Sequence, residues 1–324
     1  MILVTGATGF LGSRLLQQLN AANETVRAIA RDLPRVPKNL ALPNVEWVQG
    51  DVLDVVSLEE AMQGVERVYH CAALVSFDAR HHQSMMNVNV TGTANVVNAA
   101  LAANVKKLLH VSSIAALGRS NRDQLIDENS EWTNGKDNSV YAQSKYLAER
   151  EVWRGTQEGL PAVIVNPSVI IGSGNWTQGT PRLFRSARNG MPFYPRGVNG
   201  FVSVDDVVNC MIQLMNNDFA NERYVVSSEN VSYKDFLTLT TKALDVKSPT
   251  IPLSRFVTNL SWLASSLLHK TFGVAPLLTR ETARTVNGTY RYSNEKIKKA
   301  IGYDFKPAKE FITETALAYK NQKN

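Results

Sequence analysis

The sequence predicts an α/β fold: a doubly wound parallel sheet of about seven strands with a smaller C-terminal substrate lobe. Three observations carry this. Short apolar runs alternate with segments of helical period over residues 1–167. A glycine-rich turn follows the first run directly and opens a helical pattern. The alternation weakens after about residue 167, where turn-rich stretches begin. Strands alternating with helices give a parallel sheet covered on both faces. Right-handed crossovers then place a ligand at the carboxyl ends of the strands.

The elements follow in order. Ile2-Leu3-Val4 is a first strand, and Ser13 to Asn20 a helix with Leu15, Leu16 and Leu19 on one face. Thr25 to Ala30 and Val45 to Val48 are the second and third strands. Ser57 to Met62 is helical, with Ser57 and Glu60 spaced as a capping box. Arg67 to Cys71 is the fourth strand, Asn87 to Ala103 a long helix and Lys107 to Ser112 the fifth strand. Val140 to Gln157 is a second long helix and Ala162 to Asn166 the sixth strand. We expect a sheet domain of 1–166 plus about 200–222. The lobe takes 167–199 plus about 223–324. The run 254–278, with Phe256, Leu260, Trp262 and Phe272, is unusually apolar and could line a pocket for a greasy substrate. Ordinary lobe packing and weak peripheral membrane contact are the other readings of it.

Composition bounds the rest. The 324 residues are 44% hydrophobic and 20% charged, ordinary globular usage that excludes a disordered chain. The net charge is +6, and residues 296–324 carry +4 of it, which reads as a solvated helix face. No basic stripe interleaved with aromatics is present, so no nucleic-acid partner is expected. Cys71 and Cys210 are too few for a disulfide framework or a metal cluster. No run of 18 uncharged apolar residues occurs, so no spanning helix is expected. Met1-Ile2-Leu3-Val4 reads as a strand and not a leader; a cytoplasmic location is expected.

The strongest motif is Gly6-Ala7-Thr8-Gly9-Phe10-Leu11-Gly12, between a strand and a helix. Gly6 allows a tight turn, Gly9 lets the backbone approach a pyrophosphate, and Gly12 lets helix and strand pack closely. The N–H groups and dipole of the helix start attract phosphates. The motif therefore predicts dinucleotide binding. Strand two ends Ala30-Arg31-Asp32. An acid there would accept from the adenosine ribose, whereas the Arg31 guanidinium can grip a 2′-phosphate. This favours NADP(H), with NAD(H) as the alternative, in which Asp32 takes the ribose.

Tyr141-Ala142-Gln143-Ser144-Lys145 lies in a predicted helix, and a separation of four puts Tyr141 and Lys145 on one face. A nearby ammonium favours the phenolate and is expected to lower the tyrosine pKa toward acid–base use.

The GxxGxxG spacing followed by YxxxK resembles the short-chain dehydrogenase/reductase superfamily in its extended branch, over nearly the whole chain. The resemblance implies a Rossmann fold and a hydride-transfer site. By it, Ser113 orients the substrate carbonyl, with Ser112 the neighbouring register. Tyr141 exchanges the proton, Lys145 tunes Tyr141 and bonds the nicotinamide ribose, and Asn89 matches a structural helix asparagine. It also places Asp51 and Val52 at the adenine, and Ala72, Ala73 and Pro167 along the cofactor. Ile114-Ala115 stands where the branch's dehydratases carry Asp-Glu, which speaks against dehydration. Val165-Asn166-Pro167-Ser168 resembles the dihydroflavonol reductase-like pattern, and the apolar run resembles steroid dehydrogenase-like members. The segment Phe201-Val202-Ser203-Val204-Asp205-Asp206-Val207 matches a family segment in which Asp205 or Asp206 caps a helix.

The implied activity is carbonyl–alcohol interconversion on a fairly apolar small molecule. A nucleotide-sugar epimerase with tightly held NAD is the alternative, with Arg182, Arg185, Arg188 and Arg196 for a pyrophosphate. A non-catalytic NADP-sensing regulator is a remote one. A homodimer through the Tyr141 and Asn89 helices is the common family arrangement.

Overall fold

The computed structural model describes residues 1–76, 78–118, 125–133, 135, 138–253 and 286–322. The predicted apolar run 254–278 lies outside the described residues.

Seven parallel strands form the central sheet: β1 (Ile2–Thr5), β2 (Val26–Ala30), β3 (Val45–Gln49), β4 (Arg67–His70), β5 (Lys107–Val111), β7 (Ala162–Pro167) and β11 (Glu222–Val226). Between β5 and β7 lies the short β6 (Leu125–Ile126), which pairs outside this sheet. The spatial order is β3-β2-β1-β4-β5-β7-β11, and every neighbouring pair is parallel. The order reverses between β1 and β4, the switch point where such sheets take their ligand.

Helices cover both faces. α1 (Phe10–Ala21) and α7 (Val204–Asn216) pack on one, where Leu15, Leu16, Val207, Met211 and Leu214 meet the sheet in one buried cluster. On the other, α2 (Val55–Met62), α4 (Gly92–Ala102) and α5 (Val140–Gln157) contribute Leu58, Val96, Val97 and Val152. These strands are apolar on both sides because neither face meets water. The seventh strand begins at residue 222, where the sequence reading ends the sheet domain.

The helix read as Asn87 to Ala103 starts earlier. α3 (His82–Met86) runs through a π-helical turn at Asn87–Thr91 into α4. The wide turn rotates Asn89 inward, as such bulges do near functional sites. Two cap assignments are corrected. Asp54, not Ser57, caps α2: its carboxylate accepts from the N–H of Val56 at 3.1 Å and of Ser57 at 3.4 Å. Ser57 instead lies inside the first turn, because Val55 and Val56 are already helical. Ser203, not Asp205 or Asp206, caps α7, its Oγ accepting from Asp206 N at 3.0 Å. Asp206 turns inward to accept from the Tyr303 hydroxyl and the Lys306 N–H, and Asp205 pairs with Arg14 on α1.

The remaining described elements lie past β7. They include β8 (Val169–Ile171), α6 (Arg182–Arg188), β9 (Phe193–Tyr194), β10 (Val198–Ser203), β12 (Glu229–Ser232), α8 (Tyr233–Ala243), β13 (Ile251–Pro252) and β14 (Arg291–Tyr292). The chain ends in α9 (Glu295–Ile301) and α10 (Ala308–Asn321). These elements share a core separate from those of the sheet, with Phe184, Phe201, Phe236 and Phe311 buried together. Phe201 and Phe236 stack at 5.1 Å between ring centroids. Among the described residues no helix is long and apolar enough to cross a membrane.

Candidate active site

The site starts where β1 stops. Gly6 has a φ of +68°, in the left-handed region, and a Cβ there would stand 2.6 Å from the Ala72 main-chain nitrogen. Only a glycine lets the turn pass this close to the segment after β4. Gly12 is tighter still: a Cβ would lie 2.2 Å from the Gly6 carbonyl oxygen. The start of α1 thus rests on the end of β1. Gly9 is the N-cap and offers no side-chain cap, and no acid stands in the first turn. The first intrahelical bond runs from Ser13 N to Gly9 O at 2.9 Å, so the N–H groups of Phe10, Leu11 and Gly12 precede that ladder. Such a helix start fits a phosphate-bearing dinucleotide. Thr8 and Gly9 are exposed on the turn.

Arg31 is exposed just past the end of β2, while Asp32 beside it is ion-paired with Arg35 at 2.9 Å. Asp51 is half-buried after β3 and accepts from Leu53 N at 3.0 Å. Val52 is buried against Gly92, and its carbonyl accepts from the Asn95 amide. Ala72 N donates to Thr5 Oγ1, and Ala73 is exposed at the same strand ends. Pro167 closes β7, buried.

Ser113 and Tyr141 meet beyond the switch point, with Lys145 one helical turn further along α5. Ser113 follows β5 and caps a one-turn helix, its Oγ accepting from Ala115 N at 3.1 Å. The same side chain bonds the Tyr141 hydroxyl. Among the described residues Ser112 Oγ, by contrast, is buried with no hydrogen-bond partner, and the serine that meets Tyr141 is Ser113. Lys145 is 2% exposed, and its Nζ donates to the Val111 carbonyl at 2.7 Å. One of its three donors is thereby used.

The electrostatics differ from the sequence expectation in one respect. Tyr141 is raised above its ordinary value, because burial outweighs the lowering by its bond to Ser113. The expected lowering by Lys145 does not appear. Burial pulls Lys145 itself down to about 8, against the opposing field of Glu149. Sequence spacing places the ammonium on the right helix face but does not report how dry that face is.

Asn89 bridges two segments. Its Oδ1 accepts from Leu74 N at 2.7 Å, and its Nδ2 donates to Leu74 O at 3.0 Å and to Ser144 Oγ at 2.9 Å. Ser144 Oγ donates on to the Tyr141 carbonyl at 2.8 Å. His70 lies beneath, buried between Thr5 and Thr93. The Thr93 hydroxyl is spent on Asn89 O, so His70 Nε2 donates to it and Nδ1 accepts from Thr5. Burial holds this imidazole neutral, down to about 3, and pushes the adjacent Cys71 thiol up to about 12. His70 is thus a satisfied core histidine, and the Cys71 thiol is held protonated.

The sequence reading missed Asn166, Glu149 and Arg223. Asn166 Nδ2 donates to Ser113 O at 3.0 Å and to the Glu149 carboxylate. Glu149 in turn receives Arg223 at 3.2 Å. A signal did exist: Glu149 follows Lys145 by four residues, as Lys145 follows Tyr141.

Comparison with known proteins bears on the family and the fold. The family model described as "NAD dependent epimerase/dehydratase family" matches residues 2–227. A putative dihydroflavonol 4-reductase from Synechocystis sp. is 29% identical, over 98% of this chain and 94% of its own. Sterol demethylase protein B from Methylococcus capsulatus is 29% identical, over 93% and 92%. The solved structure of gox2253 superposes with a TM-score of 0.84 at 33% identity, covering 100% of this chain and 98% of that one. With its glycine turn, parallel seven-stranded sheet and extended-branch relatives, the chain belongs to the NAD-dependent epimerase/dehydratase family and is an NAD(P)-dependent oxidoreductase.

Proposed function

We propose that the protein interconverts a carbonyl and an alcohol with NADP(H), on a fairly apolar substrate. The observation that carries this is the meeting of Tyr141 with Ser113, with Lys145 one helical turn away and buried. The α1 N-terminus with Gly6, Gly9 and Gly12 would hold the pyrophosphate, and Asp51 and Val52 the adenine. Ala72, Ala73 and Pro167 would line the nicotinamide side. When bound, the nicotinamide supplies or accepts hydride at the carbonyl carbon.

The chain's own residues do the rest. Ser113 Oγ holds the substrate oxygen and Tyr141 gives it a proton. A phenol that burial keeps protonated is a poor donor until the resulting phenolate is stabilised. Lys145, the cation on the same helix face, would supply that stabilisation once the phenolate forms, and its remaining donors would serve the ribose hydroxyls of the bound cofactor. Asn89, through Ser144, fixes the start of the helix that carries Tyr141.

Two features support NADP(H): the absence of an acid at Ala30 and the exposed Arg31 beside an Asp32 already paired with Arg35. Names such as dihydroflavonol 4-reductase and sterol demethylase protein B support the reductase reading and an apolar substrate class. Of the arginines an epimerase could use, Arg185 and Arg196 are exposed.

The test is NADPH consumption with a panel of hydrophobic ketones and aldehydes, run beside Tyr141→Phe. Turnover by the natural chain should fall by about 10²–10⁴-fold in the variant while NADPH affinity is retained. Near-normal turnover by Tyr141→Phe removes Tyr141 from the reaction. Purified protein carrying stoichiometric, undissociated NAD would favour the epimerase.

A further inference from the structure

Glu149 stands one helical turn beyond Lys145 on α5, as Lys145 stands one turn beyond Tyr141. It is a carboxylate with 1% of its surface exposed, and none of the chemistry above uses it. A charge buried this deeply is costly unless paired and hydrogen-bonded. Its partners are specific. Oε1 accepts from Asn166 Nδ2, and Oε2 accepts from Arg223 Nη1 at 3.2 Å. The same Asn166 nitrogen donates to the Ser113 carbonyl at 3.0 Å. Glu149 therefore touches the Ser113 main chain through one amide, and shares a buried helix face with Lys145.

The groups facing Lys145 come from three elements. α5 presents Glu149. The end of β4 presents His70 and Cys71, and β5 presents His110 and the Val111 carbonyl. Burial keeps both histidines neutral and the Cys71 thiol protonated. Among the described residues Glu149 is the carboxyl group whose field opposes the effect of burial on Lys145. Arg223 on β11 is the cation that competes for it. The far side of Arg223 is anchored by Nε donating to the Glu128 carbonyl at 2.8 Å. Moving the guanidinium off Glu149 would disturb that anchor.

We infer that Glu149 is a positioning residue: it is the counter-charge that sets whether Lys145 is an ammonium, and through Asn166 it holds the Ser113 backbone in place. This rests on Lys145 and Ser113 acting as proposed above.

The test reads Lys145 directly. The full chain is labelled with ¹³Cε-lysine, the Lys145 resonance is assigned by its loss in Lys145→Met, and its midpoint is followed against pH without cofactor. Glu149→Gln keeps an oxygen for Asn166 and removes the charge. The midpoint should fall by a pH unit or more, a tenfold loss of proton affinity. The alkaline limb of NADPH-dependent turnover should move down with it. Arg223→Met removes the competing cation and should move the midpoint upward. A Glu149→Gln protein that melts earlier with an unmoved midpoint has lost only a structural contact, and that outcome overturns the inference. If Glu149→Gln does not fold, Arg223→Met decides: an unchanged or lowered midpoint overturns it. The titration needs no turnover. Activity surviving in Tyr141→Phe would therefore sink the proposed reaction separately and leave this result standing.

Discussion

Lys145 Nζ donates to the carbonyl oxygen of Val111 at 2.7 Å, tying α5 to the end of β5 two residues before Ser113. The bond spans 34 residues of sequence and joins α5 to the strand whose end carries Ser113. Holding Lys145 there takes it out of water, and burial lowers its proton affinity against the field of Glu149.

That burial has a consequence for stability. The folded-state pKa of Lys145, about 8, lies below the unfolded value of 10.5. Between these the unfolded chain binds more protons, so stability rises with pH through that window. The cost of burying Lys145 is full below about pH 8 and is relieved as pH approaches 10.5. The melting temperature of the natural chain relative to Lys145→Met should therefore climb from pH 8 to 10. A flat difference across that range would mean Lys145 titrates at its ordinary value.

Arg31 is expected to choose the cofactor. Charge-assisted bonds of this kind contribute about 1.5–3 kcal/mol. Arg31→Ala should raise KM for NADPH by roughly tenfold or more and leave KM for NADH nearly unchanged. Paired kinetics with the two cofactors checks this. An equal change for both would remove the 2′-phosphate role.

Gly12→Ala brings a methyl to within 2.2 Å of the Gly6 carbonyl oxygen, a backbone atom that cannot swing aside. α1 must lift from β1, at a cost of about 1–3 kcal/mol. We expect a lower melting temperature and at least a tenfold loss of dinucleotide affinity, read by calorimetry and by NADPH fluorescence. Unchanged affinity would separate the glycine turn from cofactor binding.

Asn89→Ala deletes three hydrogen bonds, the one to Ser144 buried and the two to Leu74 part-buried, and leaves Leu74 N–H without its acceptor. The expected loss is about 2 kcal/mol or more. The start of α5 should loosen with it, so turnover should fall further than cofactor affinity. A variant with natural stability and turnover would show that water replaces the amide at no cost.

Much of the fold was legible in the sequence because its signals are local. Gly12 reports a contact within two turns of the chain, its Cβ position lying against the Gly6 carbonyl, and the left-handed φ of Gly6 is a local signal too. The Tyr141–Lys145 spacing follows from the helix period, and Leu15, Leu16 and Leu19 mark a buried face by periodicity alone. Cap identity was less legible. Ser57 and Asp205 match cap patterns, but Asp54 and Ser203 hold the donors, since that choice turns on where the preceding loop enters the helix.

By itself the sequence determined a dinucleotide-binding parallel sheet and a tyrosine and lysine on one helix face, since both follow from short-range geometry. Tertiary structure alone decided which serine meets Tyr141, that burial raises the phenol while lowering Lys145, and that Glu149, Asn166 and Arg223 form one chain beneath Ser113. The reason is physical. Desolvation and hydrogen bonds between α5, β7 and β11 depend on distances closed only when the sheet assembles, and no spacing along the chain encodes them.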